Sequence, residues 1–142
     1  MLRPFIKQLN AYLPSRVVTN QQVEEHINRN GQRIAPNSLE RLFGCKERRY
    51  AAPGEQTSDL AATAARRIVE QRKRDIDCLI FASACSDLLE PATANIVQQK
   101  LGLACPVVDL KNACTSFVNA VQGASSFLPA GMYKNMLIPT GL

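Results

Sequence analysis

Apolar positions in this chain fall into short unbroken runs and into repeats of helical spacing, and the two alternate from residue 57 onward. Leu60, Ala61, Ala64 and Ile68 recur at the roughly 3.6-residue period of one helix face. Thr57 or Ser58 suits the cap of that helix. Asp59 stands in its first turn and Arg66, Arg67 and Arg72 lie toward its end, the charge order a helix dipole favours. The run "IDCLIFASA" (76–84) is short and almost wholly apolar, the pattern of a strand covered on both faces. A helix over 93–102 follows Pro91, then a second buried-strand run "CPVVDL" (105–110), an apolar-faced helix over 113–128 and a strand over 135–139. Upstream, residues 4–14 mix apolar and polar positions in a strand-like way up to Pro14. Thr19 or Asn20 caps a short helix that stops at Gly31. Residues 31–58 read as irregular, with a brief helix over 38–43. Buried strands alternating with helices predict βαβ units, a mainly parallel sheet and an α/β fold. No repeat, low-complexity tract or linker divides the chain, so 1–142 reads as one domain.

The helix over 113–128 carries no charged residue; its polar positions are Thr, Ser, Asn and Gln. A covering helix ordinarily shows a charged outer stripe, so this one is expected to be buried nearly all round, between two layers. The second layer must be supplied or recruited.

Composition narrows the function classes. With 142 residues, 46% hydrophobic and 20% charged, the chain has the make-up of a globular domain able to bury a core. No apolar run approaches the roughly 20 residues of a membrane span. The N-terminal stretch has no apolar leader core, which makes the cytoplasm the expected compartment. The net charge of +5 concentrates at 45–50, 66–67 and 72–74; it suits a solvated helix face and permits an acidic partner or anionic substrate. An aromatic fraction of 6%, with no basic–aromatic interleaving, argues against nucleic acid. Five cysteines (Cys45, Cys78, Cys85, Cys105, Cys114) without a C-x-x-C, beside a single histidine, argue against a disulfide framework and a zinc site; no metal is expected.

Cys114 stands apart. It falls where the strand run 105–110 passes into the helix with almost no loop, in "DLKNACTSFVNAVQGA". Unpaired N–H groups and the positive dipole end at a helix start favour a thiolate, and the same groups can hold an oxyanion. Such a corner also projects its side chain from the carboxyl end of a parallel strand, where open α/β sheets bind ligands. The competing reading is a small hydrophobe packed in a core. Cys78 lies inside a strand, Cys45 and Cys105 sit beside turn residues, and Cys85 follows a strand end near the same crevice. His26, flanked by Glu24 and Glu25, reads as an exposed structural residue.

"DLKNACTSFVNAV" resembles the active-site segment of ketoacyl-acyl-carrier-protein synthase III, a thiolase-fold condensing enzyme. In that family an Ala-Cys pair opens a buried helix. "GCKERRYAAPGEQTSDLAATAARRIVE" (44–70) is similar to its G-I-x-E-R segment, and "LIFASACSDLLEPATANIVQQKLGL" (79–103) to its strand, crossover and P-[ST]-x-A helix. With "YLPSRVVTN" (12–20), the resemblance covers essentially the whole chain. It implies an incomplete N-terminal half of a thiolase-like α/β fold, with a mainly parallel sheet and a buried nucleophile helix. Cys114 would take an acyl group from acyl-coenzyme A as a thioester and yield it to the carbanion of malonyl-acyl-carrier protein, in fatty-acid or polyketide biosynthesis. No resident cofactor is implied; acyl-coenzyme A is the substrate. The implied partners are acyl-carrier protein and either a second copy in a homodimer, joined through the 106–110 strand, or a C-terminal half on another chain. Arg48 matches the arginine of the E-R element, a coenzyme A contact or a structural ion-pair partner. Leu89 and Glu90 fall at the acyl gate before P-[ST], where the family often has Phe.

Two departures bear on function. The chain has no Trp for the adenine-stacking position, and Glu90 is polar where an apolar gate is usual, which leaves room for a polar acyl donor or another acceptor. The family's activating His and Asn come from its second half, whereas this chain ends at Leu142. The expectation is therefore a front portion of a condensing enzyme, inactive in condensation when isolated. The alternative is a non-catalytic partner that binds carrier protein or completes another chain's acyl site.

Overall fold

The computed structural model describes residues 3–141; Met1, Leu2 and Leu142, which belong to the expected 1–142 domain, lie outside the described residues. Where the pattern reads as one domain, the described chain gathers into two compact units. One is Leu13–Gly54; the other joins the segment up to Tyr12 to the residues from Glu55 onward.

In the Leu13–Gly54 unit, strand β1 (Arg16–Thr19) runs into helix α1 (Asn20–Arg29), and helix α2 (Ser38–Phe43) leads to strand β2 (Glu47–Tyr50). The two strands pair antiparallel, Arg16 opposite Tyr50 and Thr19 opposite Glu47. Thr19 caps α1 in a capping box: its hydroxyl accepts from the Gln22 N–H, and the Gln22 side chain accepts from the Thr19 N–H at 2.9 Å. α2 has no side-chain cap of its own. Glu24, buried on α1, accepts from the N–H groups of Asn37 and Leu39, both at 3.0 Å, and so satisfies the open donors of the α2 start. The β1–β2 pair corrects the reading of 31–58 as irregular outside its short helix. Both strands are wet on nearly every position (only Val18 is buried), so neither carries the alternation that marks a half-buried strand.

In the other unit, helix α3 (Thr57–Arg72), strand β3 (Cys78–Ala82), helix α4 (Thr93–Leu101), strand β4 (Val107–Leu110), helix α5 (Ser116–Phe127) and strand β5 (Met136–Leu137) follow in order. The sheet is parallel with order β4-β3-β5, Leu79 opposite Val107 and Leu137. β3 is buried throughout and its side chains alternate between two cores. Leu79 and Phe81 pack with Ala61, Ala65, Val69 and Val97 of α3 and α4; Cys78, Ile80 and Ala82 pack with Ala120 of α5. Gln56, rather than Thr57 or Ser58, caps α3 in a reciprocal pair with Asp59. Asp59 also takes a 2.6 Å ion pair from Lys100, and this bond with the Gln56 N–H holds its carboxyl below the ordinary value of 3.8. No helix among the described residues is long and apolar enough to cross a membrane.

Two expectations change. Residues 4–14 form no strand; among the described residues the segment up to Tyr12 makes no backbone–backbone hydrogen bond. Side chains hold it instead, Gln8 to Gln71 and Asn10 to the Ala64 carbonyl. A strand-like pattern becomes a strand only against a ladder partner. Helix α5 is not buried all round within these residues. Ser116, Ala120 and Ala124 form its buried stripe, while Phe117 and Val118 stand 42% and 63% exposed. The lack of charge marks a helix with no face designed for water, and the covering layer buries only three of its twelve residues.

The start of α4 depends on the next strand. Its own cap position, Ala92, supplies no side-chain acceptor, but Asp109 of β4 accepts from the N–H groups of Thr93 at 2.8 Å and Ala94 at 2.6 Å. Both donors belong to fully buried residues. Asp109→Ala is expected to lower stability by about 1–2 kcal/mol through the lost cap, with Asp109→Asn intermediate because it keeps one acceptor oxygen. Urea unfolding midpoints of the three proteins measure it; equal midpoints would refute the capping role.

Candidate active site

Cys114 lies between β4 and α5 on a single 3-10 turn, Ala113–Thr115, only four residues beyond the last residue of the strand. To turn so sharply, Ala113 takes a left-handed φ of 44°. For a residue with a Cβ that conformation costs roughly 1–2 kcal/mol, and such outliers persist where surrounding bonds hold them, commonly at functional sites. The bonds are present. The Asn112 N–H donates to Ser116 Oγ at 2.8 Å, and that hydroxyl donates onward to the Ala113 carbonyl at 2.8 Å. Thr115 donates to the Asn112 carbonyl from both its N–H and its hydroxyl, and the Asn112 side chain donates to Asn119 on α5 at 2.6 Å. The Asn, Thr and Ser around the cysteine therefore clamp the corner. The sequence signal for this clamp is the cluster of Asn, Thr and Ser, side chains that readily bond nearby backbone.

The corner leaves Cys114 exposed, with its N–H free of hydrogen bonds among the described residues. A thiol and an open N–H thus sit on one residue, the two groups that attack on a carbonyl and stabilisation of the resulting oxyanion would require. Cys78 and Cys105 are buried, and burial pushes both thiols above the ordinary value. Cys45 is half-buried and bonds the Glu47 carbonyl; Cys85 is exposed.

β3 and β4 run parallel with Ala82 opposite Leu110, so the loop leaving β3 and the corner leaving β4 emerge side by side at the carboxyl end of the sheet. That loop carries Cys85, whose N–H bonds Ser83 Oγ, and then Leu89 and Glu90. Leu89 is 98% exposed, Glu90 is exposed, and the Glu90–Pro91 peptide is cis. The topology therefore brings Leu89, Glu90 and Cys85 to the sheet end that holds Cys114. Arg48 lies in the Leu13–Gly54 unit, on β2. Its guanidinium donates to Asn20 Oδ1 at 3.0 Å, and Asn20 is buried while its amide bonds the Cys45 carbonyl. An amide stands where an ion-pair partner was expected. His26 is exposed on α1 and bonds Asn30 at 3.0 Å. Among the described residues no group of three or more His, Cys, Asp or Glu is placed to hold a metal.

A parallel sheet with helices on both faces and a cysteine on a clamped strand-to-helix corner define an α/β protein of the thiolase-like class. The comparisons agree. The chain is 38% identical over 138 residues to beta-ketoacyl-acyl-carrier-protein synthase III of Neisseria gonorrhoeae, covering 94% of this chain and 42% of that relative. Its structure matches that of the synthase III from Thermus thermophilus with a TM-score of 0.78 and 32% identity, over 90% of this chain and 39% of the other. It matches OleA from Xanthomonas campestris, crystallised as a variant, with a TM-score of 0.81 and 30% identity, over 94% and 42%. No family model matches the chain. The chain is a homologue of the N-terminal part of beta-ketoacyl-acyl-carrier-protein synthase III. It spans about two fifths of the length of the curated relatives it matches.

Proposed function

We propose that this chain is the acyl-accepting part of a condensing enzyme of the 3-oxoacyl-acyl-carrier-protein synthase III type. The Cys114 sulfur attacks the thioester carbonyl of an acyl-coenzyme A, and the Cys114 N–H donates to the oxyanion. Collapse expels coenzyme A as its thiol and leaves the acyl group on Cys114. A carbanion formed by loss of carbon dioxide from malonyl-acyl-carrier protein then attacks the acyl carbonyl and frees the cysteine. Leu89 and Glu90 form the acyl gate, and the polar Glu90 favours a donor with a polar chain or an acceptor other than malonyl-acyl-carrier protein. Arg48 holds Asn20 and the 45–47 turn, and through them a coenzyme A contact. The net charge of +5 suits the acidic carrier protein. The observation that carries the reading is the exposed Cys114 on its strained, clamped corner.

Limited alkylation with iodoacetamide at neutral pH, followed by peptide mapping, tests it. Cys114 is expected to label first and Cys78 and Cys105 last, and prior incubation with acyl-coenzyme A should protect Cys114 but leave Cys85 reactive. Cys85 labelling ahead of an untouched Cys114, with no protection by the thioester, would favour the second reading, a non-catalytic partner that completes another chain's acyl site.

The same reading includes a homodimer. β4 stands at the edge of the sheet, Val108 is half-exposed, and the only charge on the strand, Asp109, is engaged by the start of α4. An apolar edge without protecting charges pairs with another strand. Sizing at high micromolar concentration is expected to show dimers that Val108→Lys abolishes; a monodisperse monomer would count against the interface.

A further inference from the structure

The loop that carries Leu89 and Glu90 is tied to the rest of its unit at one residue. The Asp87 carboxylate accepts from the Ser58 N–H at 3.0 Å, and the Asp87 N–H donates to Thr93 Oγ1 at 3.1 Å. Ser58 lies in the first turn of α3, and Thr93 opens α4. Both residues are fully buried, so leaving either bond unmade carries the full cost of an unpaired polar group. A carboxylate suits this place, because the open N–H groups and positive dipole end of a helix start favour negative charge. Lys100 of α4 donates to Ser58 Oγ and to Asp59 Oδ1, both at 2.6 Å, and so joins the two helix starts to each other. Thr93 in turn donates its N–H to Asp109 of β4, the strand that leads to Cys114. The next residues of the loop are different. Among the described residues, Leu88, Leu89 and Glu90 make no hydrogen bond or ion pair, and all three are exposed.

We propose that Asp87 is the positioning residue of the acyl gate, and that by holding Glu90 in place it makes the gate select a hydroxylated acyl chain over an apolar one. The proposal rests on the reading of Leu89 and Glu90 as that gate, and it deepens that reading. With no polar bonds of their own, Leu88, Leu89 and Glu90 take their place from Asp87 on one side and from the start of α4 on the other. Without the Asp87 carboxylate the loop keeps its bond to Thr93 but loses its registration on α3. Glu90 then has no fixed place from which to accept a hydrogen bond from the hydroxyl of an incoming chain, and the discrimination falls. Asp87 is assigned no contact with the acyl group; it acts through the three residues that follow it.

The test is acyl capture at Cys114 by the 142-residue chain, followed by intact mass, from 3-hydroxybutyryl-coenzyme A and from butyryl-coenzyme A. The two donors carry chains of equal length that differ by one hydroxyl. The parent is expected to capture the hydroxylated chain at least about fivefold faster, since a site that hydrogen-bonds a hydroxyl rejects the analogue lacking it. Asp87→Ala should bring the two rates within about twofold of each other. The rate of Cys114 alkylation by iodoacetamide, a reagent too small to need the gate, should stay within about twofold of the parent, whereas a merely structural defect would move both. Asp87→Asn keeps an oxygen acceptor for the Ser58 N–H and should retain the preference. Thr93→Val removes the acceptor of the Asp87 N–H, leaves the carboxylate in place and should also lower the preference, which keeps the test open should Asp87→Ala not fold. A parent without preference, an Asp87→Ala or Thr93→Val protein with the parent's preference, an Asp87→Asn protein as unselective as Asp87→Ala, or Cys114 alkylation that falls together with selectivity would each overturn the positioning role. A parent whose Cys114 takes no acyl group from either donor is a different failure: it overturns the nucleophile reading, and the gate with it.

Discussion

Assayed by itself with acyl-coenzyme A and malonyl-acyl-carrier protein, the 142-residue chain is expected to release carbon dioxide at close to the background rate. Condensation asks for donors that stabilise the enolate left by decarboxylation and for a second contact to the acyl oxyanion. The Cys114 N–H offers one such contact. The single histidine, His26, belongs to the Leu13–Gly54 unit, where it is exposed and bonded to Asn30. Loss of one oxyanion donor typically costs about a hundred- to a thousandfold in rate, and loss of the enolate donors compounds it. Adding the C-terminal part of a synthase III relative is expected to raise malonyl-dependent carbon dioxide release at least a hundredfold. Robust, Cys114-dependent turnover by the chain alone would show that these residues already hold the decarboxylation machinery.

Cys114→Ala has the larger effect on the step assigned to this chain. A covalent nucleophile has no substitute in its site, and removing one has cost roughly a millionfold in the best-studied hydrolases. Acyl capture from acyl-coenzyme A should therefore vanish in Cys114→Ala and stay within about twofold of the parent in Cys85→Ala. The Cys85 control matters because both thiols are exposed and both lie at the carboxyl end of the sheet. A stability effect does not imitate this result, since Cys114 is exposed and its truncation opens no cavity.

The βαβ core was legible because its physics is written in one dimension. β3 is buried on both faces, so 78–82 reads as an unbroken apolar run, and Gly102, which closes α4 in a left-handed conformation, stands where a helix stop is expected. Cys114 was legible for a related reason: a strand pattern met a helix pattern with no room for a loop. What stayed hidden was decided in three dimensions. The β1–β2 pair has no buried face to impose alternation. The cap of α4 comes from Asp109, some 15 residues away, which no local capping rule searches. The left-handed turn at Ala113 uses a residue that ordinarily avoids that conformation, so the corner's shape follows from its clamp and not from its own preference. The half-open α5 shows the converse, a sequence that describes a buried helix more fully than one covering layer provides.

The central claim is that Cys114 accepts an acyl group. Intact-mass spectrometry of the chain after incubation with an acyl-coenzyme A, followed by proteolysis at mildly acidic pH to preserve thioesters, reads it directly. The account predicts a gain of one acyl mass carried by the peptide that contains Cys114 and removed by hydroxylamine. An unchanged mass, or an acyl group mapped to Cys85 or Cys45 with Cys114 free, would contradict it.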